Sequence, residues 1–295
     1  MTTRRLDRLA VLGAALLFST GGVVIKATSW NAFAVAGGRS AVAALVLVLL
    51  MPRWRRFWDP KALAVGTGFG ATMVLFVIAN KLTGAANAIF LQSTAPLYVL
   101  VLAPWLLGER NRRSDVLLTA VLAVGMGFFF VGREQAAETA PDPALGNLVA
   151  MAAGFSWAWT LVGLRWIGRR EPGDVVLPGS SNLAGAAVVA GNLLAAIVCL
   201  PLALPLPPAS PADLGLVSYL GVFQIGVAYL LMNRGIERVP ALETSLLLLL
   251  EPVLAAVLAW SILDELPGPW ALTGCVVILA GTVGRTLLAT GRAEA

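Results

Sequence analysis

The chain has no histidine, only two cysteines in 295 residues, and just 13% charged side chains. Without histidine there is no imidazole for a Ser-His or Cys-His pair, a His-bound metal or a His proton relay. Cys199 and Cys275 both fall in apolar runs, and two such thiols make no disulfide framework. There is no Gly-x-Ser-x-Gly elbow and no paired carboxylate within an apolar run, so an intramembrane enzyme has little to work with. The net charge of +5 is spread along the chain and is not gathered into a basic domain, so nucleic acid is not an expected partner. Soluble domains carry about 25% charged residues. A chain with so few cannot clothe itself for water.

What fills the chain is apolar: 58% of it is hydrophobic. Runs of about 20 apolar residues recur along its whole length, which is the length a membrane helix needs and too long for barrel strands. The pattern predicts ten spans, at 8–27, 32–51, 62–82, 85–107, 114–132, 146–168, 177–199, 213–233, 240–262 and 268–288. The first run is too long for a signal-peptide core and reads as a true span. Lys and Arg set the orientation. With the N-terminus inside, all of them fall on the cytoplasmic side except Lys26, Lys81 and Arg133 outside and Arg39 within a span. That predicts a multi-pass protein of a bacterial-type inner (plasma) membrane with both termini cytoplasmic. "PRWRRFWDPK" (Pro52–Lys61) interleaves Arg with Trp54, Phe57 and Trp58, as an inner-leaflet anchor would.

The chain is also written twice. Offset by 156 positions, Ser93–Gly125 falls on Leu249–Gly281 without a gap. Pro96 meets Pro252, Glu109 meets Glu265, and Gly125 meets Gly281. Earlier in each half, at a different offset, Phe18–Ser19 matches Phe155–Ser156. Each half holds five spans, and an odd number sends the second copy across the bilayer in the opposite sense. The expected fold class is therefore an all-α integral membrane protein, ten transmembrane helices forming two inverted five-helix repeats, as in secondary transporters. The expected organisation is a first repeat at 1–132, an external linker at 133–145 and a second repeat at 146–295. "P…LLGE" followed by a Gly-bearing helix, present in both halves, resembles the drug/metabolite transporter superfamily and its EamA-type ten-helix exporters. Within that group the chain looks most like bacterial exporters of aromatic amino acids and methyl viologen. The resemblance implies cytoplasmic termini and a central cavity between the halves.

The stretch "LLLLLEPVLAAVLAW" (Leu246–Trp260) places Glu251 and Pro252 near the bilayer midplane, as Pro96 is in the other half. Each proline removes one helix hydrogen bond and clashes with the carbonyl four residues earlier, here Gln92 and Leu248. Paired interruptions of this kind point to a transporter's binding site. A charge at mid-membrane costs on the order of 2.5–3.5 kcal/mol on insertion scales, and a watery cavity lowers that cost. Glu251 reads either as a brace to a neighbouring helix or as a substrate- and proton-handling group. Phe18, Ser19, Gln92, Ser156, Trp157, Gln224, Thr244 and Ser245 are expected at similar depth. With Pro96 and Glu251 they form the candidate substrate-binding set. Most tryptophans sit at span boundaries as an aromatic belt; Trp157 does not, and it suits either a flat substrate or core packing.

Arg39 is the other ion within a span. It could meet a carboxylate, but it reads more readily as snorkelling outward or bonding the ends of neighbouring helices. Lys26 and Lys81 read as interfacial. "GTGFG" (Gly66–Gly70) follows no strand, so it reads as a helix-packing seam and not as a nucleotide loop, and the glycines near 125 and 281 read the same way. No cofactor or metal is expected. The expected partners are a small-molecule substrate, the lipid bilayer and protons as a coupling ion. The expected function is export of small metabolites by alternating access, most readily amino acids, aromatic or other neutral, and flat amphiphiles. A broad drug or amphiphile exporter is the alternative, with an intramembrane enzyme far behind.

Overall fold

The computed structural model describes residues 3–108, 113–131, 136–168, 181–206, 208, 210–236, 239, 247–248 and 250–291. Among the described residues regular structure is helical throughout, apart from one bridge between Ala137 and Ala140. Seven helical segments are long and apolar enough to cross a membrane, and three shorter apolar ones complete the set at Val116–Val131, Leu250–Leu263 and Pro269–Gly284. The protein is thus an all-α membrane protein of ten helical spans.

Helices α1 (Thr3–Ser19) and α2 (Gly21–Ala27) make the first span, α3 (Ala32–Leu50) the second and α4 (Pro60–Leu82) the third. The fourth is α5 (Ala85–Gln92) with α6 (Ala95–Leu107), and the fifth is α7 (Arg113–Val131). After the linker come α8 (Pro143–Gly168) and α9 (Ser181–Leu202). The eighth span joins α10 (Pro211–Tyr219), a π-helical stretch at Leu220–Val227 and α11 (Ala228–Ile236). Last come α12 (Leu250–Leu263) and α13 (Pro269–Gly291). The expected start of the seventh span at 177 and most of 240–249 lie outside the described residues.

The ends follow local chemistry. Asn31 caps α3 by accepting from Ala34 N, and Asp59 caps α4 by accepting from Lys61 N, with Pro60 in the first turn where it forfeits no bond. Ser210 caps α10 in the same way, with Pro211 next. Gly108, at φ 64°, closes α6 in the left-handed region that glycine enters at no steric cost.

Packing relies on small residues, because lipid gives helices no hydrophobic push toward one another. A methyl on Gly70 would stand 2.7 Å from Gly191 O, and one on Gly191 would stand 2.7 Å from Gly66 O, so α4 and α9 touch backbone to backbone. A methyl on Gly125 would stand 2.7 Å from Ile278, and one on Gly274 2.6 Å from Gly125 O, so α7 and α13 meet in the same way. The "GTGFG" stretch is therefore the seam its spacing predicts. Trp54 departs from expectation. It is 4% exposed and packs against Gly185 of α9, so it wedges helices together and is no lipid anchor. Trp58, Trp105, Trp166, Trp260 and Trp270 do face outward.

The contacts repeat under exchange of the first five spans with the last five. Span three packs on span six (α4 on α8), and span eight packs on span one (α11 on α1). Span three also meets span seven (α4, α9), and span eight meets span two through its π stretch (with α3). Spans four and six (α5 and α6 on α8) are matched by nine and one (α12 on α1). Three pairings map onto themselves: two with seven, five with ten, and four with nine.

Candidate functional site

A cavity of about 370 Å³ opens at the middle of the bundle, lined by residues of both halves. Its position follows from breaks in the surrounding helices. Pro96 cannot donate to Gln92 O, and the fourth span breaks at Ser93–Thr94, between α5 and α6. The turn is held locally: Thr94 N and Thr94 Oγ1 both donate to Leu91 O, at 3.3 and 2.5 Å. Gly154 of α8 lies against this break, and a methyl there would come within 3.1 Å of Gln92 O. Glu251 and Pro252 stand at the corresponding point of the second half, in α12, and Leu247 and Leu248 ahead of them are helical as well. Two further irregularities border the cavity. The first span bends at Thr20, and the π stretch at Leu220–Val227 re-aims Gln224 inward.

Six of the ten expected site residues line the cavity: Phe18, Gln92, Pro96, Trp157, Gln224 and Glu251. Ser19 and Ser156 do not. Each is buried with its hydroxyl donating to its own helix, Ser19 to Leu16 O at 2.7 Å and Ser156 to Ala152 O at 3.0 Å. Serine in a helix readily back-bonds in this way, and depth alone does not reveal it. Thr244 and Ser245 lie outside the described residues. Trp157 shares the wall with Tyr229 and Phe18; Tyr229 meets Phe18 edge-on at 5.3 Å, and Phe69 edge-on at the same separation. Tyr229 was not singled out from the sequence, where one tyrosine in an apolar run carries no signal of its own.

Arg39 is the largest departure. It neither snorkels nor reaches a helix end. Fully buried, it donates from Nη2 to Met73 O at 2.8 Å, in the middle of α4, and from Nη1 to Gln224 Oε1 at 3.3 Å. Its Nε has no partner. Among the described residues no carboxylate pairs with it. Taking a guanidinium out of water costs several kcal/mol, and two neutral acceptors only partly repay that. Tyr229 lines the same cavity as Arg39 and Glu251.

The cavity is lopsided. Leu161, Tyr229, Met232 and Leu248 extend its lining toward the membrane face on which α1 begins, and the other end stops near Arg39, Phe76 and Ile89. Beyond that end, toward the opposite face, span ends are joined by a polar web. Lys26 pairs with Glu265 at 2.6 Å and also donates to Thr139 O; Glu265 Oε2 accepts from Ala85 N at 2.9 Å. Lys81 donates to Thr28 O at 2.7 Å. Asp213 accepts from Ser29 N and Ser29 Oγ, both at 2.7 Å. Thr83 donates to Asn147 at 2.8 Å. Lys26 and Lys81 thus sit at span ends, as their positions along the chain predict, and are bonded to protein there. They tie span ends to one another, and the Lys26 side chain is only 2% exposed.

Comparison with known proteins gives these features a context. The EamA-like transporter family matches the chain twice, over residues 8–131 and 144–286. The threonine/homoserine exporter RhtA of Escherichia coli K12 is 27% identical over 84% of this chain and 80% of its own length. The uncharacterized transporter YwfM of Bacillus subtilis is 26% identical over 92% of this chain and 91% of its own. A chain of known crystal structure, 22% identical, aligns over 98% of this chain and 99% of its own with a TM-score of 0.61, which speaks to the fold alone.

Proposed function

Because the chain belongs to the EamA-like transporter family and is a multi-pass small-molecule exporter of a bacterial inner membrane, we propose that its cargo is amino acids, moved by alternating access through the central cavity. One observation carries this reading. Among the described residues the cavity's lining, drawn from both repeats, has one carboxyl, Glu251, and one guanidinium, Arg39, in a wall that is otherwise apolar, aromatic or neutral polar. Its volume lies at the small end of the range for ligand pockets, about 300–1,000 Å³. Threonine/homoserine export by a relative supports the same class of cargo. The binding set is Phe18, Gln92, Pro96, Trp157, Gln224 and Glu251, with Thr244 and Ser245 on the segment leading into α12. The repeats are residues 1–132 and 146–295, joined by the linker 133–145, and they rock against each other about the paired breaks at Pro96 and Pro252. Glu251 exchanges protons with whichever side the cavity faces and so couples flux to a pH gradient.

The aromatic and methionine side chains of the wall, Phe18, Phe76, Trp157, Tyr229, Met73 and Met232, favour a second reading, a broad exporter of flat amphiphiles. Counterflow in proteoliposomes decides between them. Preloaded amino acids should accelerate entry of labelled threonine or phenylalanine, with saturation. Stimulation by planar amphiphiles, and none by any amino acid, would favour the second reading and sink the first.

A further inference from the structure

We infer that Arg39 is the anchor for the substrate's carboxylate and Glu251 the partner for its ammonium group, so that the cavity selects zwitterions by charge at both ends. This rests on the amino acid reading above and names the residues that would enforce it.

The argument begins with an imbalance. Arg39 is completely buried, and no carboxylate pairs with it among the described residues. Buried charges are normally paired. The guanidinium has five donors in a fixed fork, suited to two carboxylate oxygens at once. Here two of its nitrogens bond, to Met73 O and Gln224 Oε1, and among the described residues Nε has no hydrogen-bond partner. At 3.3 Å the contact with Gln224 is the longer of the two. A neutral amide oxygen thus sits where an anionic oxygen would fit better.

Gln224 is held where a ligand at Arg39 would meet it. It rides on the π stretch, where backbone register is irregular, and its side chain lies against Gly21 at the bend of the first span. A methyl on Gly21 would come within 2.9 Å of Gln224 Nε2, so this spot accepts no larger residue without moving the amide. Arg39 lines the end of the cavity near Phe76 and Ile89, and Glu251 lines it nearer the face on which α1 begins, with no ion pair joining them. A cargo with a carboxylate leading and an ammonium trailing would neutralise both groups together. A cargo with one charge would leave the other uncompensated in a closed cavity.

The test is competition in counterflow, using L-threonine and L-phenylalanine, each beside its amide and its decarboxylated amine. With the parent protein, each amino acid should compete at least about tenfold more strongly than its amide or amine. Amides that compete as well as the acids would overturn the inference and leave amino acid export standing. Transport of none of these compounds would instead remove the amino acid reading, and this one with it. A second arm uses Q224E, which supplies a built-in carboxylate beside Arg39. It should keep or raise Tm, lose the amino acids and retain the amines. If Q224E is as stable as the parent and carries amino acids as before, Arg39 is a brace and the inference falls. Should Q224E not insert, R39K, which keeps charge but loses the fork, is read by the same ratio. An unchanged acid-to-amide preference in R39K counts against the carboxylate anchor.

Discussion

At the scale of single residues, Glu251 carries the sharpest expectation. Glu251→Gln keeps its shape and hydrogen-bonding capacity and removes its titration. If Glu251 couples protons, the variant should fold and run counterflow, yet fail to accumulate substrate when a pH gradient is imposed. Parent-like accumulation at every pH would leave Glu251 a brace. Trp157 offers a second check. Trp157→Leu keeps an apolar wall and removes the ring that faces the cavity. Stacking is worth about 0.5–1.5 kcal/mol beyond area, so phenylalanine should lose about two- to tenfold in apparent affinity against threonine. An equal loss for both cargoes would mean that the ring, which also stands edge-on to Phe69 at 6.4 Å, serves packing. Residue by residue, depth along a span was legible: Phe18, Gln92, Pro96, Trp157, Gln224 and Glu251 are read from it and line the cavity. Direction around the helix was not. Ser19 and Ser156 have the right depth and the wrong bond, since a hydroxyl in a helix finds an acceptor in the preceding turn. Arg39 was legible as an intramembrane ion and misjudged in direction, because its acceptors, Met73 O and Gln224, come from helices distant in sequence.

At the scale of elements, the breaks differ in how plainly the sequence announces them. Proline announces the interruption at Pro96 through its missing donor. The bend at Thr20 and the π stretch at Leu220–Val227 contain no proline, and nothing in a hydropathy pattern marks them. The element that matters next for transport is the web toward the face opposite the start of α1. Lys26, Glu265, Thr139 and the N-terminus of α5 meet there, so spans one, four and nine and the linker are latched at one point. Breaking one partner of a buried pair costs about 3–5 kcal/mol, because the other charge stays behind unpaired. Glu265→Gln should therefore shift the protein toward the state open on that face. With a cysteine at Phe76, at the end of the cavity nearer that web, labelling by an impermeant thiol reagent added on that side should speed up severalfold. The swapped pair K26E/E265K should restore slow labelling in part. Unchanged labelling in Glu265→Gln would mean that this web is scaffolding and not a gate.

For the whole molecule, the open issue is which face is which, and two independent lines meet on it. The Lys and Arg distribution puts the start of α1, the 52–61 segment and the loops after α6 and α8 in the cytoplasm. The cavity lining reaches toward that same face, and the polar web of Lys26 and Glu265 lies beyond its other end. If both hold, the structure is the state in which an exporter loads, open to the compartment that holds its cargo. The contact symmetry adds a constraint. Spans one and six, or three and eight, sit in equivalent surroundings, so the proposed alternating access would need no new fold: the second repeat would take the arrangement the first now has. A wrong orientation would turn the same coordinates into an importer's loading state, so sidedness decides the direction of useful work. Single cysteines at Ala137, on the linker, and at Trp58, exposed beyond α3, settle it in a background lacking Cys199 and Cys275. In intact cells Ala137→Cys should react with an impermeant maleimide and Trp58→Cys should react only after lysis. The reverse pattern would place the open cavity on the outside and would take the loading argument with it.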